Sequence, residues 1–299
     1  MKRVSACGRT ASVVKATALE ILSEPVTLLV LLASLALAVL APAFHYHQFG
    51  EPTRMARDAG FSAVFTGGTV LAVFATIRSI RREIETGTVE MALSHPISRG
   101  MFFVAKACGA FAACIVFTLT VFGVSLTSVA GAAVGGAIAE RTGGIARIWG
   151  PCVAVGTAVI VLPMVAAAAA NRFFRFRFVL ASTITAACAA VASAAWAFSL
   201  DPAVLAPYFL AALPLVAFIA VFVSASAAFA VRFRANVAAV CSGVLFAAMV
   251  PFAGNYYLSD ALSAGGSVSW IGAAVPFAAA IPAIAAFTLL GIGWTAERT

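Results

Sequence analysis

The chain has 299 residues, of which 63% are hydrophobic and only 10% charged, with a formal net charge of +8. Soluble domains carry about 25% charged residues, so this composition excludes an ordinary soluble enzyme or binding module and predicts an all-α, polytopic transmembrane helix bundle. The short alternating segments of a membrane β-barrel are missing, and the basic residues form no nucleic-acid-binding face.

The first predicted element covers residues 5–24. Val14, Ala18, Ile21 and Leu22 recur at helical spacing while Arg9, Ser12 and Glu20 fall elsewhere, which predicts a short interfacial helix ending where Pro25 turns the chain. Residues 26–43 form an apolar run closed by Ala41-Pro42-Ala43. Glu20 and Glu24 make the preceding stretch too long and acidic for a cleaved signal, so this run is read as an uncleaved first span. His45 and His47 follow it; two histidines in a loop could hold a metal, but no third ligand lies nearby, so no metal site is assigned.

A second span is predicted at 60–80 and a third at 103–128, separated by a polar loop at 81–100. Lys106 falls near the inner end of the third span, where its long side chain could snorkel to the surface. Further apolar segments at 148–170, 178–198, 209–231, 235–254 and 270–293 bring the count to about eight spans, within a range of six to eight. No linker divides the chain, so residues 1–299 are expected to form one transmembrane domain. Gly67-Gly68, Gly131-x-x-x-Gly135 and the alanine-rich runs 166–170 and 186–195 permit close helix approach. The six cysteines contain no Cys-x-x-Cys pair and read as small buried hydrophobes.

Orientation follows from the basic residues. With eight spans and the N-terminus inside, 15 of the 19 Lys and Arg fall on the inner side and 4 on the outer, placing both termini in the cytoplasm. Trp149, Trp196, Trp270, Trp294, Tyr46, Tyr208, Tyr256 and Tyr257 all fall at span boundaries, where aromatic residues with a polar edge are favoured.

The spans lack Asp and Glu in their interiors, so the carboxylate that proton- or sodium-coupled carriers normally need at depth is missing. That weakens the alternative of a self-contained secondary carrier or channel. No phosphate-binding Gly-x-x-x-x-Gly-Lys-Ser/Thr loop is present, and no serine–histidine or paired-aspartate arrangement suggests catalysis. The chain is therefore expected to be no enzyme, to bind no cofactor itself, and to draw any energy from a partner on the inner side.

The loop before the third span carries the remaining chemistry. Read as a helix over 83–94, it places Glu83, Thr86, Gly87 and Glu90 on one side and mostly apolar residues on the other. Glu85 falls in the apolar arc and needs a partner among Arg81, Arg82 and Arg99; Pro96 ends the helix. The run Glu83-x-Glu85-Thr86-Gly87-Thr88-Val89-Glu90, followed by Leu93-Ser94-x-Pro96-Ile97-Ser98-Arg99 and then Lys106, resembles permease subunits of bacterial type-2 ABC transporters. That resemblance implies a cytoplasmic coupling helix between spans two and three, seated in a groove of a separate cytoplasmic ABC ATPase that carries ATP and Mg. Glu83, Glu85, Gly87, Thr88, Glu90, Pro96, Ser98, Arg99 and Lys106 would be its coupling residues, and residues 5–24 its elbow helix. It further implies pairing with a second permease subunit, homo- or heterodimeric, export across the bacterial inner membrane, and no nucleic-acid partner. The family commonly has six spans rather than eight, and a glycine where Ala105 stands; the branch most similar is the one linked to copper-enzyme maturation.

Overall fold

In a computed structural model the described residues are 6–40, 52–87, 98–142, 149–175, 177, 178–200, 202–255 and 270–297, and no strand occurs among them. The described residues form nine helices: α1 (Ala6–Leu22), α2 (Pro25–Leu40), α3 (Pro52–Glu85), α4 (Arg99–Thr142), α5 (Trp149–Phe174), α6 (Phe178–Leu200), α7 (Pro202–Arg232), α8 (Ala235–Asn255) and α9 (Trp270–Glu297). The eight helices from α2 onward coincide one for one with the apolar segments of the sequence, and α1 with its predicted short helix. Among the described residues five stretches are long and apolar enough to cross a membrane, within α3, α4, α5, α6 and α7. The bent pair Thr10–Leu22 and Pro25–Leu40 supplies a sixth, and Ala235–Met249 and Ala280–Thr295 are shorter apolar helices. This is a polytopic helical membrane bundle, with five or six helices meeting the length test rather than eight.

The chain forms two compact units, each assembled from separate stretches. The first comprises Met1–Ile21, Thr69–Ile115 and Leu213–Thr299. Here α1 crosses α4 at Gly109, where a Cβ would stand 2.6 Å from the Thr17 Cβ and 2.8 Å from the Val14 carbonyl oxygen. Only a residue without a side chain allows so close a crossing. The buried face of α1 is Thr17, Ile21 and Leu22; of the predicted apolar stripe Ile21 and Leu22 are buried, Val14 and Ala18 are half-buried, and Thr17 joins them. The end of α9 rests on the start of α4, with Gly291 against the Phe103 ring and Ile292 against Gly100. Edge-to-face pairs join α7 to α9: Phe229 with Phe287 at 5.9 Å, and Phe233, just past α7, with Trp294 at 6.2 Å.

The second unit comprises Leu22–Gly68 and Val116–Ala212. α2 packs on α5 and α6, which pack on each other. Small residues set these distances. Gly67 faces Ser34 and Phe117, and a Cβ on Gly123 would lie 2.7 Å from the Ala190 carbonyl oxygen. Ala186, Ala190 and Ala197 are fully buried, whereas only Ala167 of the 166–170 run is. At one end of this unit the Arg57 guanidinium lies 5.9 Å from the Tyr208 ring, Tyr208 stacks on Phe61 at 6.0 Å, and Phe61 on Phe122 at 6.2 Å.

Many hydroxyl groups within the spans are satisfied by their own helices. Thr120 donates to the Val116 carbonyl at 2.7 Å, Ser125 to Phe122 at 2.8 Å, and Ser193 to Ala190 at 2.9 Å. They read as internal to the helices rather than as ligand contacts. The cysteines depart from expectation: Cys114 is buried, but Cys108 and Cys188 are exposed on outward helix faces, where apolar lipid suits a thiol as well as a protein core does.

α5 and α6 join through a turn in which Arg175 has φ 56° and donates its amide to the Asn171 carbonyl at 3.1 Å. This is a left-handed helix stop, which costs a non-glycine residue about 1–2 kcal/mol. Arg175→Gly is therefore expected to stabilise the chain by ~1 kcal/mol, read as a higher unfolding midpoint in neutral detergent. A lowered midpoint would show that the arginine side chain supports the turn.

Candidate functional site

The polar chemistry of the first unit gathers around one buried cation. Lys106 lies on α4 two turns from its start, with its side chain only 5% exposed. Its Nζ meets Glu83 Oε1 at 2.6 Å, donates to Ser79 Oγ at 3.4 Å and lies 3.8 Å from Glu20 Oε2. Ser79 and Glu83 are one turn apart on α3 and so present a single face to α4. Glu20 comes from α1, and its other oxygen accepts from Arg82 at 3.4 Å. Two cations and two carboxylates thus close on one another across three helices.

The sequence dictates this local arrangement through helical spacing. On α1, Thr17 and Glu20 are three residues apart; on α4, Lys106 and Gly109 are also three apart. The crossing of α1 over α4 therefore has two rungs, Thr17 on Gly109 and Glu20 toward Lys106. The first brings the backbones close, and that closeness delivers the second. An ammonium withdrawn from water without a partner costs several kcal/mol, so Glu83 and Glu20 are conditions for the burial of Lys106 rather than additions to it.

Sequence reading placed Lys106 as a snorkelling anchor; the structure corrects this, because two carboxylates within reach hold it inside. It also redistributes the acidic residues of the loop. Glu83 turns inward to Lys106 and is only 26% exposed. Glu85 is 62% exposed and pairs with Arg81, four residues earlier, at 3.2 Å. The partner expected for Glu85 is therefore found, but on the outer surface rather than in an apolar arc.

A separate helix beginning at residue 83 is likewise corrected. Residues Glu83–Glu85 complete α3, and the chain then turns. The Thr86 amide and hydroxyl both donate to the Arg82 carbonyl, at 2.9 and 2.8 Å, and Gly87 has φ 69°. Gly87 is a left-handed helix stop; a Cβ there would meet nothing within 4 Å, so its backbone conformation, not close packing, requires glycine. Thr88, Glu90 and Pro96 lie outside the described residues, as do His45 and His47. On the far side of the loop, Ser98 caps α4, accepting the Met101 amide at 3.3 Å. Arg99 is exposed in the first turn of α4, where the helix dipole disfavours a cation, so its charge does not serve the helix.

Glu20, Ser79 and Arg82 complete the cluster, and none was a predicted coupling residue. Glu20 was legible only as an acid on a surface helix; its partners are far away in sequence. Among the described residues no group of three His, Cys, Asp or Glu could hold a metal ion.

Glu83→Gln and Lys106→Met are each expected to destabilise the protein by ~3 kcal/mol, at the lower end for a broken buried pair because Glu83 is partly exposed. The double variant should recover ~1–2 kcal/mol of the summed loss, since neither partner is left alone. Thermal unfolding in detergent measures this cycle, and strictly additive losses would show that the pair does not interact.

Residues 33–262 match the family described as ABC-2 family transporter protein, a match that covers well over half of the chain and includes Ser79, Arg82, Glu83 and Lys106. No curated protein and no solved structure matches the chain. With its membrane-crossing helices, the chain belongs to the ABC-2 transporter family and is one of its multi-pass membrane proteins.

Proposed function

We propose that this chain is the permease subunit of an ATP-driven exporter, coupled to a separate cytoplasmic ABC ATPase through residues 83–99. ATP and Mg belong to that partner, and two permease subunits pair in the inner membrane with their termini in the cytoplasm. The family match supports the permease assignment. The observation that carries the coupling reading is the division of roles on either side of the loop. Glu83 and Lys106 fasten α3 to α4, while Glu85 and Arg99 face outward.

This arrangement suits a lever. A partner engaging the loop from outside meets Glu85 and Arg99 first. Its displacement passes to α3 through the helix end at Glu85, to α4 through the capped turn at Ser98, and to α1 through Glu20. The ion cluster keeps the three helix ends moving together, so closure of the ATPase would shift whole helices rather than a loose loop. Drive by ATP rather than by an ion gradient fits a chain whose apolar segments carry no Asp or Glu in their middles. In this reading Glu83 and Lys106 are positioning residues and Glu85 is a contact residue.

The test separates those roles. Affinity purification of the tagged chain from solubilised membranes is expected to recover a soluble ATPase with the wild type and to lose it with Glu85→Arg. Substrate-linked ATPase stimulation should vanish in that variant, while its unfolding midpoint stays within about 0.5 kcal/mol of the wild type, as for an exposed site. Normal stimulation by Glu85→Arg would remove the coupling assignment. A wild-type chain that recovers no ATPase and transports in liposomes without ATP would establish a self-contained carrier instead.

A further inference from the structure

We propose that the turn between α5 and α6 binds the phosphate headgroup of an anionic phospholipid through Arg172, Arg175 and Arg177. Membrane-crossing stretches end and begin on either side of it, at Val155–Phe173 and Phe178–Leu200. So short a turn cannot project far beyond the bilayer, and its side chains lie at the level of the headgroups whichever leaflet it meets.

Three guanidinium groups within six residues are exposed there, and none forms an ion pair with a described residue. No acidic residue occurs in the sequence between Glu140 and Asp201, so this stretch supplies no counter-charge of its own. Beside them the Phe173 ring is 79% exposed, an apolar surface next to cations that suits a lipid carrying both a phosphate and acyl chains. Guanidinium forks bind phosphate oxygens two at a time, which favours three arginines over three lysines at such a site.

The local fold does not account for these charges. Arg175 occupies a left-handed position that glycine would fill more easily. Arg177 precedes α6 and its carbonyl accepts the first helical bond, from Ala181, so its cation stands at the end of the helix where the dipole disfavours it. Only Arg172, in the last turn of α5, gains from its helix. A headgroup phosphate supplies the missing counter-charge. An acidic protein partner would have to reach into the headgroup layer to meet a turn this short, so the membrane is the favoured occupant.

The experiment compares the whole chain in lipid nanodiscs of phosphatidylcholine alone and of phosphatidylcholine mixed with phosphatidylglycerol. The wild type is expected to show a higher unfolding midpoint in the mixed discs and to retain phosphatidylglycerol in native mass spectra. The triple variant Arg172→Gln, Arg175→Gln, Arg177→Gln should keep the midpoint of the phosphatidylcholine discs and lose both the shift and the retained lipid. Arg175→Gly gives an independent reading: the midpoint in phosphatidylcholine should rise while the phosphatidylglycerol shift shrinks, a combination that a purely structural arginine does not produce. An undiminished shift in the triple variant would overturn the proposal. So would an equal loss in Arg232→Gln, Arg234→Gln, which carries the same change to another basic turn. In detergent, short-chain phosphatidylglycerol should stabilise the wild type and inorganic phosphate should not; equal stabilisation would reassign the site to free anions.

Discussion

A lysine ammonium buried in a membrane protein sets conditions that the surrounding helices must meet. Lys106 has to find carboxylate and hydroxyl partners without recourse to water, and it finds them on two other helices. Glu83 and Ser79 fix which face of α3 meets α4. Glu20 fixes where α1 lies, and Gly109 makes room for it. The apolar contacts of the first unit tolerate small slips between helices, whereas a 2.6 Å ion pair does not. The register of α3 and α4 at this end is therefore held by an ion pair, and that of α1 by the Gly109 crossing together with Glu20, in a chain where charge is scarce.

The second unit reaches its packing by different means. Its close approaches depend on Gly67, Gly123 and the alanine face of α6, and the cation–π contact of Arg57 with Tyr208 lies near a helix end. Within the spans most hydroxyl groups bond to the carbonyl three or four residues earlier, and a few, such as Ser128 to the Ala38 carbonyl at 3.0 Å, also reach a neighbouring helix. The glycine and alanine faces associate by van der Waals fit and slide more readily than paired ions.

Much of the architecture was legible in the sequence because the bilayer imposes a local rule. Each crossing helix must satisfy its own backbone and show an apolar surface, so residues 60–80 and 178–198 announce α3 and α6 without reference to any other segment. The ends were less legible. α3 runs on to Glu85 because Ser79, Arg82 and Glu83 have partners on neighbouring helices, which no periodicity reveals. The helix drawn from residue 83 is interrupted at Gly87, whose left-handed backbone no spacing of polar and apolar residues reveals. Lys106 was taken for a snorkelling residue because its sequence neighbourhood is apolar, while its carboxylates arrive from α1 and α3. The family motif groups the acids of this loop without distinguishing which of them face inward. Glu83 and Glu85 are two residues apart on a helix, far enough round it to do opposite things.

The bond between Glu20 and Arg82 spans 62 residues of chain. At a synthesis rate of about 5–20 residues per second, Glu20 leaves the ribosome roughly 3–12 s before Arg82 does, and Lys106 follows later still. During that interval the carboxylate has neither Arg82 nor Lys106 to meet. α1 can therefore make its ionic contacts only after α3 and the start of α4 have been synthesised. The ion cluster thus joins segments made at well-separated times, and it can be complete only when all three helices are in place.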